Sequence, residues 1–194
     1  MNIVILDNFD SFTFNLLDEF ASSDRHIRVF RNNMKADEVE RRLMSLMPPR
    51  LLVLSPGPGH PDDAGSMNQV IKRIKGQVPI FGVCLGMQAI VRAFDGQVSC
   101  VKEVVHGKAR ILEHDGSLIF RGLKNRIGVG RYHSLSATKI STDLRAFAWS
   151  EGLIMAVTHK AHPIIGIQFH PESILTTEGS AMMRNVVAWA KEHA

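Results

Sequence analysis

Compact apolar runs alternate with segments of helical period through the first half of the chain, the pattern of βαβ units around a parallel sheet. Residues 3–6, Ile-Val-Ile-Leu, predict a first strand. Phe12, Leu16 and Phe20 then fall four apart, predicting a helix capped by Asp10 or Ser11 with its phenylalanines in the core. Residues 26–30 alternate Ile27 and Val29 about an exposed Arg28, a second strand. Over residues 36–47, Val39, Leu43, Leu46 and Met47 share a stripe, Glu38, Glu40, Arg41, Arg42 and Ser45 face water, and Pro48-Pro49 stops the helix. The unbroken run Leu51-Leu52-Val53-Leu54 predicts a central strand covered on both faces. Met67, Val70, Ile71 and Ile74 form another helical stripe opposite Lys72, Arg73 and Lys75. Residues 78–83 make a strand, and a helix follows that turns Ile90, Ala93 and Phe94 inward and ends at Asp95-Gly96.

Beyond Gly96 the texture changes to short strand-like pieces at 97–101, 108–113, 128–132, 144–149, 153–159 and 164–169. Turns such as His114-Asp115-Gly116 and Ser150-Glu151-Gly152 separate them, so antiparallel hairpins and returns to the sheet are expected. From Ser180, Met182, Met183, Val186, Val187 and Ala190 share one face of a closing helix. The fold class is α/β: an open, mostly parallel central sheet flanked by helices, with a smaller antiparallel sheet in the second half. No repeat or linker divides the chain, and one domain over residues 1–194 is expected.

Composition narrows the function by exclusion. Hydrophobic content of 45% and charged content of 22% are those of an ordinary globular protein. The net charge of +4 comes from 23 Lys and Arg scattered among 19 acids, with no basic stripe or aromatic ladder, so no nucleic-acid partner is expected. Two cysteines outside any CxxC pair argue against a disulfide framework or a thiolate zinc site, and no HExxH occurs. The apolar runs are far shorter than the roughly 18 residues of a membrane span, and the chain opens directly on a strand without a leader. A cytoplasmic protein without a membrane partner is expected.

The chemistry gathers at three turns. Gly82-Val83-Cys84-Leu85-Gly86 has the Gly-x-nucleophile-x-Gly form of a residue held on a sharp strand-to-helix bend, with a helix dipole aimed at the sulfur. Taken alone, a cysteine after a buried strand is more often a small core residue. Ser55-Pro56-Gly57-Pro58-Gly59 is a cramped turn, either a simple reversal or a main-chain platform for an oxyanion. His170-Pro171-Glu172 follows the strand at 164–169 and offers a base with an acid to orient it, or merely a strand-ending turn. Strand ends of this kind collect catalytic groups in open α/β sheets. The other histidines, His133 among them, show no metal-ligand spacing, and Ser134 lacks a nucleophile frame.

Together the three turns resemble the class I (triad) glutamine amidotransferases. Residues 7–15 (Asp-Asn-Phe-Asp-Ser-Phe-Thr-Phe-Asn), His106-Gly107-Lys108, Arg131-Tyr132-His133-Ser134-Leu135 and Glu172-Ser173-Ile174-Leu175-Thr176 are further similar to the glutaminase subunits of anthranilate synthase and of aminodeoxychorismate synthase. This likeness covers essentially the whole chain. It implies that Cys84 attacks the side-chain amide of glutamine, that His170 moves the protons and that Glu172 orients His170. It implies an oxyanion hole from the N–H groups of Gly57 and Leu85, and a glutamine site from Gly57, Gly59, Leu85, Gln88 and the main chain at Ser134 and Leu135. No metal or cofactor is implied in this chain; Mg2+ belongs to the partner, a chorismate-binding synthase subunit that receives the ammonia. Ser-Ile-Leu-Thr-Thr-Glu-Gly at 173–179 leans toward the anthranilate branch, with the aminodeoxychorismate branch, or service to both, as the alternative. A stand-alone γ-glutamyl hydrolase and a non-catalytic module are the remaining readings. Met87 departs from the histidine this branch often carries, which leaves its contacts with substrate or partner open.

Overall fold

The computed structural model describes residues 1–21, 24–101 and 107–194. In chain order the elements are β1 (Asn2–Asp7), α1 (Thr13–Phe20), β2 (His26–Arg31), α2 (Ala36–Met44), β3 (Arg50–Leu54), α3 (Met67–Ile74), β4 (Ile80–Val83) and α4 (Leu85–Ala93). Then come β5 (Gln97–Cys100), β6 (Lys108–His114), β7 (Arg126–Arg131), β8 (Leu135–Lys139), β9 (Leu144–Ser150), β10 (Leu153–His159), β11 (Ile164–Ile167) and α5 (Gly179–Glu192). Among the described residues, nine strands share one sheet in the order β2-β1-β3-β4-β11-β10-β9-β6-β7. The strands from β2 to β11 in that order run parallel. The rest are antiparallel and continuous with them through β10, so most of the expected second sheet is an extension of the first. Among the described residues, only β5 and β8 form a separate antiparallel pair.

The continuous apolar runs follow from burial on both faces. Ile3, Ile5, Leu51, Val53, Phe81 and Val83 join one core with Leu16, Phe20, Met182, Met183 and Val186, which places α1 and α5 on that face. Val4, Leu6, Leu52, Leu54 and Ile80 point the other way, into a core shared with Val39, Leu43, Val70, Ile71 and Ile90 of α2, α3 and α4. On this second face β4 and β11 carry glycines where α4 lies against them. A Cβ on Gly82 would come within 2.6 Å of the Gly86 carbonyl carbon, and one on Gly166 within 2.9 Å of the Met87 Cβ. That close approach seats the first turn of α4 on the strand ends. Gly166→Ala is therefore expected to overpack this contact and destabilise the fold by about 1–3 kcal/mol, read as a lowered urea midpoint.

Four local departures have physical causes. α2 ends at Met44 and its exit tightens, with the Leu46 N–H on the Leu43 carbonyl; Met47, before Pro48, is 78% exposed and does not join the stripe. Val29 on the edge strand β2 is exposed rather than half-buried. β8, Leu-Ser-Ala-Thr-Lys, has little β propensity of its own and is a strand because β5 pairs with it. Phe12 precedes α1 and packs against the residues of the candidate site instead of the core. Among the described residues, no helix is long and apolar enough to cross a membrane.

Candidate active site

The carboxyl ends of β1, β3, β4 and β11 converge, and each delivers part of one cluster. Cys84 stands between β4 and α4 with φ 53° and ψ −103°, a left-handed φ that a residue with a Cβ adopts only under local constraint. The constraint is visible on both sides. Its N–H donates to the Ile167 carbonyl at 2.8 Å, and its carbonyl accepts from the Gln88 N–H at 3.1 Å. Cys84 is 7% exposed, at the floor of a cleft of about 160 Å³ lined by Gly57, Pro58, Gly59, Gln88, Tyr132, His133, Ser134 and Leu135. That volume is below the roughly 300–1,000 Å³ of drug-sized ligand sites and suits a small metabolite.

His170 and Glu172 meet in the turn that follows β11. The His170 Nδ1 lies 2.7 Å from Glu172 Oε1, and the Glu172 side chain is 0% exposed. Burial alone would depress the His170 pKa, but its hydrogen bonds to Cys84 and Glu172 and their charges prevail and push it up to about 10. The ring is held from the sides as well, edge-on to Phe12 at 5.3 Å and to Tyr132 at 5.1 Å between centroids. Its backbone is pinned by an N–H to the Gly130 carbonyl and by the Thr176 hydroxyl donating to its own carbonyl at 2.6 Å. Asp10 stands near enough to feel both charges; burial raises its pKa, against the opposing N–H of Phe12.

The two proposed oxyanion donors differ in origin. The Leu85 N–H opens α4, where first-turn donors have no intrahelical acceptor. Gly57 lies in the 55–59 turn, and that turn is built on Asn8, a residue whose role the sequence did not reveal. The Asn8 N–H donates to Ser55 Oγ at 2.9 Å, its Nδ2 donates to the Pro58 carbonyl at 3.3 Å, and its Oδ1 accepts from Asn32 Nδ2. A Cβ on Gly57 would fall 2.2 Å from Asn8 Nδ2, so the turn requires glycine there for space. Gly59, at φ +85°, lines the same cleft.

Ser134 and Leu135 form the opposite rim, at the start of β8. The Leu135 carbonyl accepts from Gln88 Nε2 at 3.1 Å and from His133 Nδ1 at 2.8 Å. Burial holds His133 neutral, with its pKa down at about 4, and Arg131 Nε donates to its Nε2 at 3.3 Å. Gln88 Nε2 also donates to Gln168 Oε1 at 3.1 Å, and Gln168 Nε2 in turn lies 3.6 Å from Cys84 Sγ. Gln168 reads in the sequence as one more strand residue; the available signal was a polar side chain inside the run at 164–169. Met87 is fully buried in the core against Gly166 and does not reach the cleft. His106 lies outside the described residues. Among the described residues, no three His, Cys, Asp or Glu side chains are grouped to hold a metal ion.

Comparison with known proteins bears on the whole chain. The family model described as glutamine amidotransferase class-I matches residues 4–189. The chain is 45% identical over 191 residues to anthranilate synthase component 2 of Vibrio parahaemolyticus, covering 98% of this chain and 97% of that protein. It is 43% identical over 188 residues to the protein of the same name from Haemophilus influenzae, with 97% of each covered. Among solved structures, a Thermoplasma acidophilum protein described as a GMP synthase subunit superposes with a TM-score of 0.86 at 25% identity, over 99% of this chain and 94% of that one.

Proposed function

Since the chain belongs to the class I glutamine amidotransferase family, we propose that it is the glutaminase subunit of an anthranilate synthase, splitting glutamine and passing ammonia to a synthase subunit. The observation that carries this is the strained Cys84 at the head of α4, near enough to His170 to help raise the pKa of that ring, with Glu172 hydrogen-bonded to the ring's Nδ1. We assign Cys84 Sγ the attack on the glutamine δ-carbonyl carbon. The N–H groups of Gly57 and Leu85 meet the oxyanion. His170 gives a proton to the departing nitrogen, the C–N bond breaks, and ammonia leaves a γ-glutamyl thioester. Water, deprotonated by His170, then adds to the thioester; the C–S bond breaks and glutamate departs.

Substrate binding is assigned to Gly57, Gly59, Leu85, Gln88, Ser134 and Leu135. Both side-chain N–H groups of Gln88 are engaged within the protein, by Leu135 and Gln168. That leaves its Oε1 as an acceptor suited to the α-ammonium of glutamine.

Ammonia is mostly ammonium at neutral pH and a poor nucleophile in that form, so direct delivery to a partner gives the reaction its use. The name component 2 shared by the relatives implies a partner synthase subunit. We take that subunit to be the chorismate-binding one, assign any Mg2+ requirement to it, and take this chain to act as one domain in the cytoplasm, where a free thiol keeps its chemistry. Phe9 and Ile174, 56% and 97% exposed, lie one residue after Asn8 and two after Glu172 in the chain and suit a face that the partner covers. Reconstitution with the chorismate-binding subunits of anthranilate synthase and of aminodeoxychorismate synthase tests the assignment. Glutamine-dependent anthranilate formation is expected, and aminodeoxychorismate as the sole product would overturn it.

A further inference from the structure

Resting on the glutaminase reading of Cys84, we propose that Gln168 is a further catalytic residue: its side-chain N–H donates to Cys84 Sγ and favours the thiolate, with Gln88 fixing the orientation of the amide.

The direction of every bond follows from groups that have no choice. The Leu135 carbonyl can only accept, so the Gln88 group 3.1 Å from it is the NH2. That same nitrogen lies 3.1 Å from the Gln168 side chain and offers its second hydrogen there, so the atom it meets is Gln168 Oε1. What remains to face the sulfur, at 3.6 Å, is Gln168 Nε2. Turning the Gln168 amide over would set two NH2 groups against each other at the Gln88 end, and would set an oxygen against the sulfur once it is a thiolate. His133 secures the start of the chain: Arg131 can only donate, so His133 Nε2 accepts and its Nδ1–H points at the Leu135 carbonyl.

The backbone explains why Gln168 is adjacent to the nucleophile. β4 and β11 are parallel neighbours with Val83 opposite Ile167, so the residues that follow, Cys84 and Gln168, leave the sheet side by side. Gln168 is 0% exposed, so its amide has no water to compete with the sulfur. An amide N–H beside a thiolate is a hydrogen bond to an ion, stronger than one to a neutral thiol, and so selects the nucleophilic form. The other groups around this centre are His170 with Glu172 behind it, Asp10 from the segment after β1, Tyr132 and His133 from the segment after β7 with Arg131 behind them, and the first-turn N–H groups of α4. All keep their places when Gln168 alone is changed.

The test uses the complex reconstituted with the synthase subunit, in a Cys100→Ser background because the Cys100 thiol is exposed. Alkylation of Cys84 by iodoacetamide is followed against pH, alongside kcat and KM for glutamine. With Gln168→Met, which keeps the bulk and removes the donor, the pH of half-maximal alkylation is expected to rise by about one unit. Gln168→Glu, which sets an acceptor against the sulfur, is expected to raise it further. In both variants kcat falls about tenfold or more. An unchanged alkylation profile with only KM raised would overturn the proposal and leave Gln168 as a support for Gln88. Should Gln168→Glu fail to fold, the Met variant alone decides by the same criterion. Failure of the unaltered complex to hydrolyse glutamine, or to be labelled at Cys84 by a glutamine-analogue electrophile, would instead overturn the underlying glutaminase reading, and this inference with it.

Discussion

Cys84→Ser is expected to cut glutamine-dependent product formation by the assembled complex about 10³-fold or more, while synthesis from supplied ammonium salt continues at the unaltered rate. The substitution keeps the shape of the side chain, so the bend at φ 53°, the N–H to the Ile167 carbonyl and the seat of α4 are all retained. What changes is the chemistry. A hydroxyl beside His170 is a far weaker nucleophile than a thiol that can cede its proton to that ring, and Gln168 gains no anion to stabilise. On the division of labour proposed above, the ammonia-dependent half of the reaction needs only the partner's site. Product assays with glutamine and with ammonium, on one preparation whose assembly is confirmed by size-exclusion chromatography, separate the two halves. Loss of both activities in an intact complex would contradict the division of labour. An unaltered complex whose Cys84 resists a glutamine-analogue electrophile would favour a non-catalytic module. A stand-alone hydrolase would show full turnover without any partner.

The bend at Cys84 was legible in the sequence because its surroundings are constrained sterically. Only small residues allow α4 to begin directly on the strand ends, and Gly82 and Gly86 report that crowding as a spacing around Cys84. His170 and Glu172 were legible because they share one short turn, so local sequence fixes their distance. The parallel half of the sheet was legible because its strands are apolar on both faces. Residues whose roles depend on another segment were not. Asn8 supports the 55–59 turn across 50 positions of chain to Pro58, and nothing within 7–15 indicates which side chain does so. Phe12 matches a helical stripe with Leu16 and Phe20 by period, yet the helix starts only at Thr13, which frees its ring to pack on His170. Gln168 depends on the register of β4 beside β11, a tertiary fact. Met47 and β8 show the same limit from the side of structure: local pattern overestimates a helix that tightens before Pro48 and misses a strand made by its partner.

Glu172→Gln is expected to lower kcat for glutamine hydrolysis by about 10²–10⁴-fold with little change in KM, because the carboxylate acts on His170 and not on the substrate. Its side chain is fully buried, with Oε1 2.7 Å from His170 Nδ1 and Oε2 without a hydrogen-bond partner among the described residues. An amide there removes the negative charge that supports the imidazolium and can also turn an NH2 toward a ring nitrogen that must itself donate. Stability should report the same loss. The folded-state pKa of His170 is raised from the ordinary 6.5 to about 10, against the effect of burial, by its hydrogen bonds and charge interactions with Cys84 and Glu172. A raised pKa means that the folded state binds the proton more tightly than the unfolded chain. The stabilisation is therefore fully present below pH 6.5 and is lost as pH rises through about 10. Urea midpoints of the unaltered protein should fall across that window, and those of Glu172→Gln should fall less steeply, since one of the two groups holding the proton is gone. Equal slopes in the two proteins would show that Glu172 does not hold His170 in its charged form, and would return the triad to a geometric arrangement without the electrostatics that gives it use.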